Sequence, residues 1–257
     1  MKIGHIEVGR GAPNQKNTMT TRLIKSTMPP IEEKSELESY AHTVAHQLRL
    51  PLAGISLTAQ LLEEDCELRS PEELRRDLRA IRMSALKMSR IIEELLLFAK
   101  TEEIPPDTGP LDMSAVIASV LVRLQPLLKE YDADITFPDT WPPVIGYGPW
   151  VEEVWVNYIS NAVKYGGRPP RIQLGTFRDA EGKVCFTVKD NGPGLPPDDV
   201  RRLFHPFRRI GKSPVDGNGL GLSIARRMTE RLRGRVMVES AVGKGSVFGF
   251  TLPTSSL

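Results

Sequence analysis

The chain has 257 residues, 26% charged and 40% hydrophobic, the make-up of a globular protein with room for one large or two modest domains. Its net charge of +2 gives no footing for nucleic acid or an anionic membrane as the main partner. No apolar run approaches the ~18 residues of a membrane helix, no signal-peptide core opens the chain, and Cys66 and Cys185 lack metal or redox spacing. A cytoplasmic protein with no membrane insertion is therefore expected.

Residues 1–30 show no period, carry scattered Gly, Pro, Asn and Thr, and read as a flexible leader. From Ile31 a Glu/Lys-rich segment leads into a long helix, in which Ala41, Ala45, Leu48, Leu52, Ile55, Ala59 and Leu62 recur at alternating spacings of four and three. That is the seam of a coiled coil. His46 follows the seam residue Ala45, which turns it off the buried stripe. Pro51 lies inside the same helix, where its ring removes the bond to the Gln47 carbonyl at ~3 kcal/mol or more. A fault kept beside an exposed histidine marks a functional site, and His46 is the candidate phosphate acceptor.

The helix fades near Glu64–Glu67. A second starts with Ser70 as N-cap, Pro71 at the first helical position and Glu73 completing a capping box. Its repeat runs through Leu74, Leu78, Ile81, Ala85, Met88, Ile92, Leu95 and Ala99. A lone hairpin leaves such seams half wet, and each buried Leu or Ile is worth roughly 1.5–3 kcal/mol. Two hairpins pairing into a four-helix bundle is the simplest cover, so a homodimer is expected. Residues 31–100 thus form the hairpin domain and 101–110, with three prolines and a glycine, a linker.

Residues 111–257 mix helix and strand. A helix capped by Asp112 runs to about Tyr131, a strand follows near Ala133–Phe137, and a Pro-rich crossing leads to a helix over Trp150–Tyr165. Ile172–Phe177 and Val184–Lys189 read as a hairpin turning at Asp179–Gly182. A glycine-rich loop, a helix from Leu220 to about Leu232, and strands at Val236–Glu239 and Val247–Leu252 complete the chain.

Four constellations in this half carry chemistry. On the Trp150–Tyr165 helix, Glu153, Asn157, Asn161 and Lys164 form a polar stripe. Asparagine is a poor helix former, and two stacked a turn apart beside a lysine suit hydrated Mg²⁺ with its phosphates. Asp190-Asn191-Gly192-Pro193-Gly194 leaves a strand and, taken alone, is an ordinary Asn-Gly turn. Leu203 to Arg209 sets Phe204 and Phe207 beside Arg208 and Arg209. Gly217-Asn218-Gly219-Leu220-Gly221-Leu222 opens a helix whose backbone N–H groups can approach phosphates. Its spacing is not the dinucleotide Gly-x-Gly-x-x-Gly, and Pro214 rather than a strand precedes it.

The order and spacing of these pieces resemble one family. Val44-Ala45-His46-Gln47-Leu48-Arg49-Leu50-Pro51-Leu52 is similar to the H-box of sensor histidine kinases, and Asn157 to Tyr165 to their N-box. Asp190-x-Gly192-x-Gly194 resembles the G1 box, Phe204 to Phe207 the F-box, and Gly217-x-Gly219-x-Gly221 the G2 box. The resemblance spans Glu36 to Pro253. It implies a multidomain protein: an α-helical hairpin dimerising into a four-helix bundle, then an α/β two-layer sandwich that binds ATP, of the Bergerat type. It implies autophosphorylation of His46 by ATP and transfer to an aspartate on a response regulator receiver domain. Asn161 would ligate Mg²⁺ with Asn157 assisting, Lys164 would lie near the phosphates, and Tyr165 would line the base pocket. Asp190 would accept from the adenine amino group. Gly192, Gly194, Gly217, Gly219, Leu220 and Gly221 would follow the nucleotide through their backbone, Phe207 would belong to the lid from Phe204 to Gly217, and Arg209 would approach the γ-phosphate. Arg208 stands where such kinases often carry an aromatic residue.

Two residues depart from the family's pattern. The residue after the acceptor is usually acidic and sharpens the near imidazole nitrogen; Gln47 accepts the same hydrogen bond without charge, which predicts slow autophosphorylation. Leu50 stands where many relatives place Thr or Asn to orient water, which predicts little phosphatase activity. Against a kinase stand three alternatives. A His42–His46 metal pair lacks a third ligand. A hydrolase of the gyrase or chaperone kind would need a glutamate where Asn157 stands. An ATP-binding scaffold with little turnover is what Gln47 leaves open. No sensory module is legible, so either the sequence is a trimmed piece or a separate sensor protein supplies the signal.

Overall fold

A computed structural model describes residues 33–103, 107–204 and 219–254. Helix α1 (Glu33–Asp65) and helix α2 (Pro71–Glu103) pack against each other through a tight 3-10 turn at Cys66–Leu68. The capping box at the start of α2 is formed: the Ser70 N–H and hydroxyl both reach Glu73 Oε2, at 2.9 and 3.0 Å, and Glu73 N–H returns to Ser70 Oγ at 3.3 Å. Helix α1 runs unbroken through Pro51, which is buried. At its far end α2 continues through Thr101–Glu103, into the segment expected as linker, because nothing before Pro105 halts a helix.

The expected seam divides in two. Leu48, Ile55, Ala59 and Leu62 of α1, with Leu74, Ile81, Met88 and Leu95 of α2, are half-buried within the hairpin. Ala45, Leu52, Leu78, Ala85 and Ile92 from the same repeat stay exposed, joined by Leu50, Leu57, Leu61 and Leu96. A helix of 3.6 residues per turn with apolar residues this dense presents more than one face. The second face is uncovered in the single chain.

The C-terminal half is a sheet with helices on one side. A two-stranded ribbon, β1 (Gly109–Leu111) against β3 (Val144–Gly146), leads in. The main sheet has the order β2-β4-β5-β7-β6, built from β2 (Asp134–Thr136), β4 (Arg171–Arg178), β5 (Val184–Asp190), β6 (Val236–Ser240) and β7 (Ser246–Leu252). Among the described residues only the β2–β4 pair is parallel. Helices α3 (Met113–Glu130), α4 (Gly148–Tyr165) and α6 (Gly221–Arg231) cover one face, and a short α5 (Pro197–Val200) follows β5. Asp112 caps α3, its Oδ1 accepting from Ser114 N–H at 2.9 Å and Ala115 N–H at 3.2 Å. Strand alternation sends Leu174, Val184, Phe186, Val188, Phe248, Phe250 and Leu252 into the helical layer. There Trp155 of α4 meets Phe250 edge-on at 5.2 Å. The hairpin is not detached from this body: α2 packs on α6, and Leu97 lies against its core. Among the described residues no helix is long and apolar enough to cross a membrane.

Candidate functional site

Helix α4 carries the site along its length. Asn157, Asn161 and Tyr165 are spaced by four and sit on one face, about 12 Å from first to last at 1.5 Å per residue. Asn161 Nδ2 donates to Asn157 Oδ1 at 3.2 Å, which leaves the Asn161 carbonyl oxygen as the outward acceptor of the pair. Glu153, expected in the same stripe, is turned elsewhere: its carboxylate is paired with Arg123 of α3. It belongs to the α3–α4 packing, because Arg123 draws its carboxylate toward α3.

The N-terminus of α6 closes on the asparagine end. A Cβ built at Gly221 would stand 1.8 Å from Asn157 Nδ2, so only a glycine allows the helix to come this near. Gly219 supplies the left-handed turn, φ +71°, that brings the chain into α6. Leu220 is the N-cap and gives no side-chain cap; its own side chain is buried in the core, so any role toward a ligand falls to its backbone. The amides of the first turn have no acceptor within the helix, and Gly221, which opens it, lies against Asn157. An approach of this kind makes a ready anion site.

Asp190, the last residue of β5, marks the other end. It is 8% exposed. Burial pushes its carboxyl above the usual carboxylate range, opposed by the backbone N–H groups of Gly192 and Ser246. Both donate to the same oxygen, Oδ1, at 2.8 and 3.2 Å. Oδ2 has no protein hydrogen bond among the described residues and remains an acceptor for a ligand. Tyr165 ends α4 beside it, 41% exposed, and a Cβ on Gly192 would stand 2.8 Å from the Tyr165 carbonyl. Gly194, φ +68°, has the Ala241 carbonyl 1.9 Å from where a Cβ would sit.

Asn157, Asn161, Tyr165, Asp190, Gly192 and Gly221 are thus brought together along α4; Lys164 lies on the same helix, Gly219 and Leu220 lead into α6, and Gly194 packs on the Ala241 carbonyl. Phe207, Arg208, Arg209 and Gly217 lie outside the described residues, as does the leader. His46 and Gln47 lie on α1; the His46 side chain lies outside the described residues. Asn191, by its sequence alone an ordinary turn residue, also belongs to this end of the site. Its side chain accepts from Gly167 N–H at 3.1 Å and Arg171 N–H at 2.8 Å and donates to the Pro169 carbonyl at 3.1 Å. The Gly166-Gly167 pair directly after α4 was the available hint, since two glycines there allow a close approach of backbone.

The chain thus joins an α-helical hairpin to an α/β sandwich. Residues 36–104 match the family model "His Kinase A (phospho-acceptor) domain", and residues 146–256 match "Histidine kinase-, DNA gyrase B-, and HSP90-like ATPase". The chain belongs to the sensor histidine kinase family. It is 32% identical over 226 residues to the methanogenesis regulatory histidine kinase FilI of Methanothrix harundinacea, covering 86% of this chain and 25% of that one. With the adaptive-response sensory kinase SasA of Thermosynechococcus vestitus it shares 31% over 231 residues, 83% of this chain and 59% of that one. Among solved structures, histidine kinase ThkA in complex with response regulator protein TrrA matches with a TM-score of 0.70 at 22% identity, over 86% of this chain and 63% of that one. The full-length ShkA structure in complex with AMPPNP gives 0.61 at 24%, over 88% and 47%. The chain therefore spans a quarter to three-fifths of the length of these two curated relatives.

Proposed function

We propose that this chain is the catalytic core of a two-component sensor kinase: it binds Mg-ATP along α4, phosphorylates His46, and passes the phosphoryl group to an aspartate of a response regulator. The observation that carries this reading is the arrangement along α4, with a glycine-opened helix terminus on a pair of asparagines at one end and a buried carboxylate at the other. These would serve as a phosphate end and a base end for one nucleotide. The nucleotide complex of ShkA and the response regulator complex of ThkA support the ligand and the partner. The donor set also fits the ion. Among the described residues no cluster of three His, Cys, Asp or Glu side chains could hold a metal, whereas an amide oxygen with phosphates and waters suits Mg²⁺. Asn161, assisted by Asn157, would hold it, and it would neutralise charge on the phosphates.

His46, in its neutral form, attacks the γ-phosphorus through the lone pair of one imidazole nitrogen. An N–P bond forms, the bond to the ADP oxygen breaks, and the charge leaving with ADP is met by Lys164 and Arg209. Engagement of Glu153 by Arg123 removes the nearest carboxylate that could activate water from α4, which favours transfer over hydrolysis. The exposed stripe of Leu50, Leu57, Leu61, Leu78 and Ile92 supports the homodimer, since a face this apolar calls for a partner.

Gln47 and Leu50 set the two activities. Gln47→Glu restores a charge at the acceptor and is expected to speed autophosphorylation by about 10²-fold, on the scale of a general base, read as label incorporated from γ-labelled Mg-ATP; an unchanged or lower rate counts against the role given to Gln47. Leu50, 67% exposed one turn beyond His46, cannot orient water. A phosphorylated receiver domain should keep its label for as long with this protein as without it, and rapid kinase-dependent loss would contradict this.

A further inference from the structure

Asn191 lies outside the set of residues expected to touch nucleotide, yet it ties together the two walls of the base end. One wall is the C-terminus of α4 with the loop from Tyr165 to Arg171, and the other is the turn that leaves β5 with Asp190 and Gly192. The Asn191 carboxamide spans the gap with all three of its bonds: Oδ1 takes the N–H groups of Gly167 and Arg171, and Nδ2 gives to the Pro169 carbonyl. The fit is close from the other side as well. A Cβ on Gly167 would stand 2.5 Å from Asn191 Nδ2 and 2.8 Å from its carbonyl oxygen, and one on Gly192 would stand 3.1 Å from Gly166 Cα. The loop has its own anchors: Arg168 donates to the Val163 and Lys164 carbonyls, both at 3.2 Å, and lies 4.9 Å over the Tyr131 ring. Those bonds fix the loop to α4 and α3. None reaches the Asp190 side.

We infer that Asn191 is a positioning residue that sets the width of the base pocket, holding Tyr165 at a fixed distance from Asp190 and so tuning affinity for the purine without acting on the phosphates. The inference rests on the reading of the cleft as an ATP site. The β4–β5 ladder keeps Ile172 opposite Asp190, so removing the bridge lets only the Gly166–Pro169 part of the loop, next to Tyr165, relax away from Asp190, while the Asn157–Asn161–Gly221 end stays intact, since no bond of Asn191 reaches it. Binding affinity should then suffer only for ligands that carry the base.

The test is calorimetric titration of the whole chain, in the presence of Mg²⁺, with ATP and with inorganic tripolyphosphate. N191A is expected to raise the Kd for ATP about tenfold, from the loss of a positioned hydrogen-bonding group, and to leave the Kd for tripolyphosphate unchanged. Autophosphorylation should show the same split, KM for ATP raised and kcat at saturation kept. N191D keeps the acceptor for Gly167 and Arg171 but sets a carboxylate oxygen against the Pro169 carbonyl, and is expected to recover only part of the loss. Gly167→Ala, which drives a methyl into the carboxamide, gives an independent route to the N191A pattern if N191A folds poorly. Equal weakening of both ligands, or ATP affinity unchanged in both N191A and Gly167→Ala, overturns the inference while leaving the ATP site standing. Wild-type protein that binds no ATP overturns the site itself and the inference with it.

Discussion

Asp190→Asn is expected to make the protein more stable and nearly blind to ATP. The native carboxyl is buried, and burial holds its pKa above the unfolded value. Ionised Asp190 therefore costs folding stability: its favourable contribution is complete below the unfolded carboxylate pKa and is lost as pH rises through the higher folded value. The asparagine keeps an oxygen for the Gly192 and Ser246 N–H groups and carries no charge. Unfolding melts of the ligand-free protein should show the variant above wild type at neutral pH, the gap closing on acidification. Binding runs the other way. The amide nitrogen replaces Oδ2 and meets the adenine amino group donor to donor, which should weaken ATP roughly 100-fold, the scale of a buried polar group left unpaired. Wild-type affinity for ATP should also fall as pH drops through the Asp190 pKa, and the variant should lack that dependence.

The second large effect separates two glycines that the sequence presents as equivalents. At Gly221 an added methyl meets the tip of the Asn157 side chain. A side chain can swing away, so Gly221→Ala should fold with a cost of at most about 1–3 kcal/mol, in part offset by the better helix propensity of alanine. The swing breaks the Asn157–Asn161 hydrogen bond and pushes α6 off the phosphate end, and autophosphorylation should drop by about 10²-fold or more. At Gly194 the methyl meets the Ala241 backbone carbonyl at a left-handed φ. Backbone cannot swing, and Gly194→Ala should show its effect mainly as a lowered melting temperature. Thermal melts beside label incorporation distinguish the two, and the reverse pattern would contradict the placement of α6 against α4.

Much of this was legible from residue spacing. The glycines and asparagines announced themselves because a polar residue in a helix, or a glycine opening one, breaks a local rule, and broken rules stand out in a sequence. What stayed hidden depends on neighbours far along the chain. The strands β1 and β3 are three residues each, with Gly109-Pro110 and Gly146 inside them, too short and too interrupted to show alternation. Glu153 fits the polar stripe by count, and only the presence of Arg123 on α3 draws it elsewhere. The exposed half of the coiled-coil repeat could not be told from the covered half, since both obey the same period. Asn191 was hidden by its own plausibility: an Asn-Gly step explains itself as a turn, and its three partners lie 20 to 24 residues upstream.

In the proposed reaction, nucleotide held on α4 gives its terminal phosphoryl group to one imidazole on α1. Incubation with Mg-ATP labelled at the γ-position, followed by acid and alkali treatment of the protein, reads that directly. Label that survives alkali, is released by acid, maps to His46 and vanishes in His46→Ala is the predicted result. Label that survives acid, or that persists in His46→Ala, would contradict it.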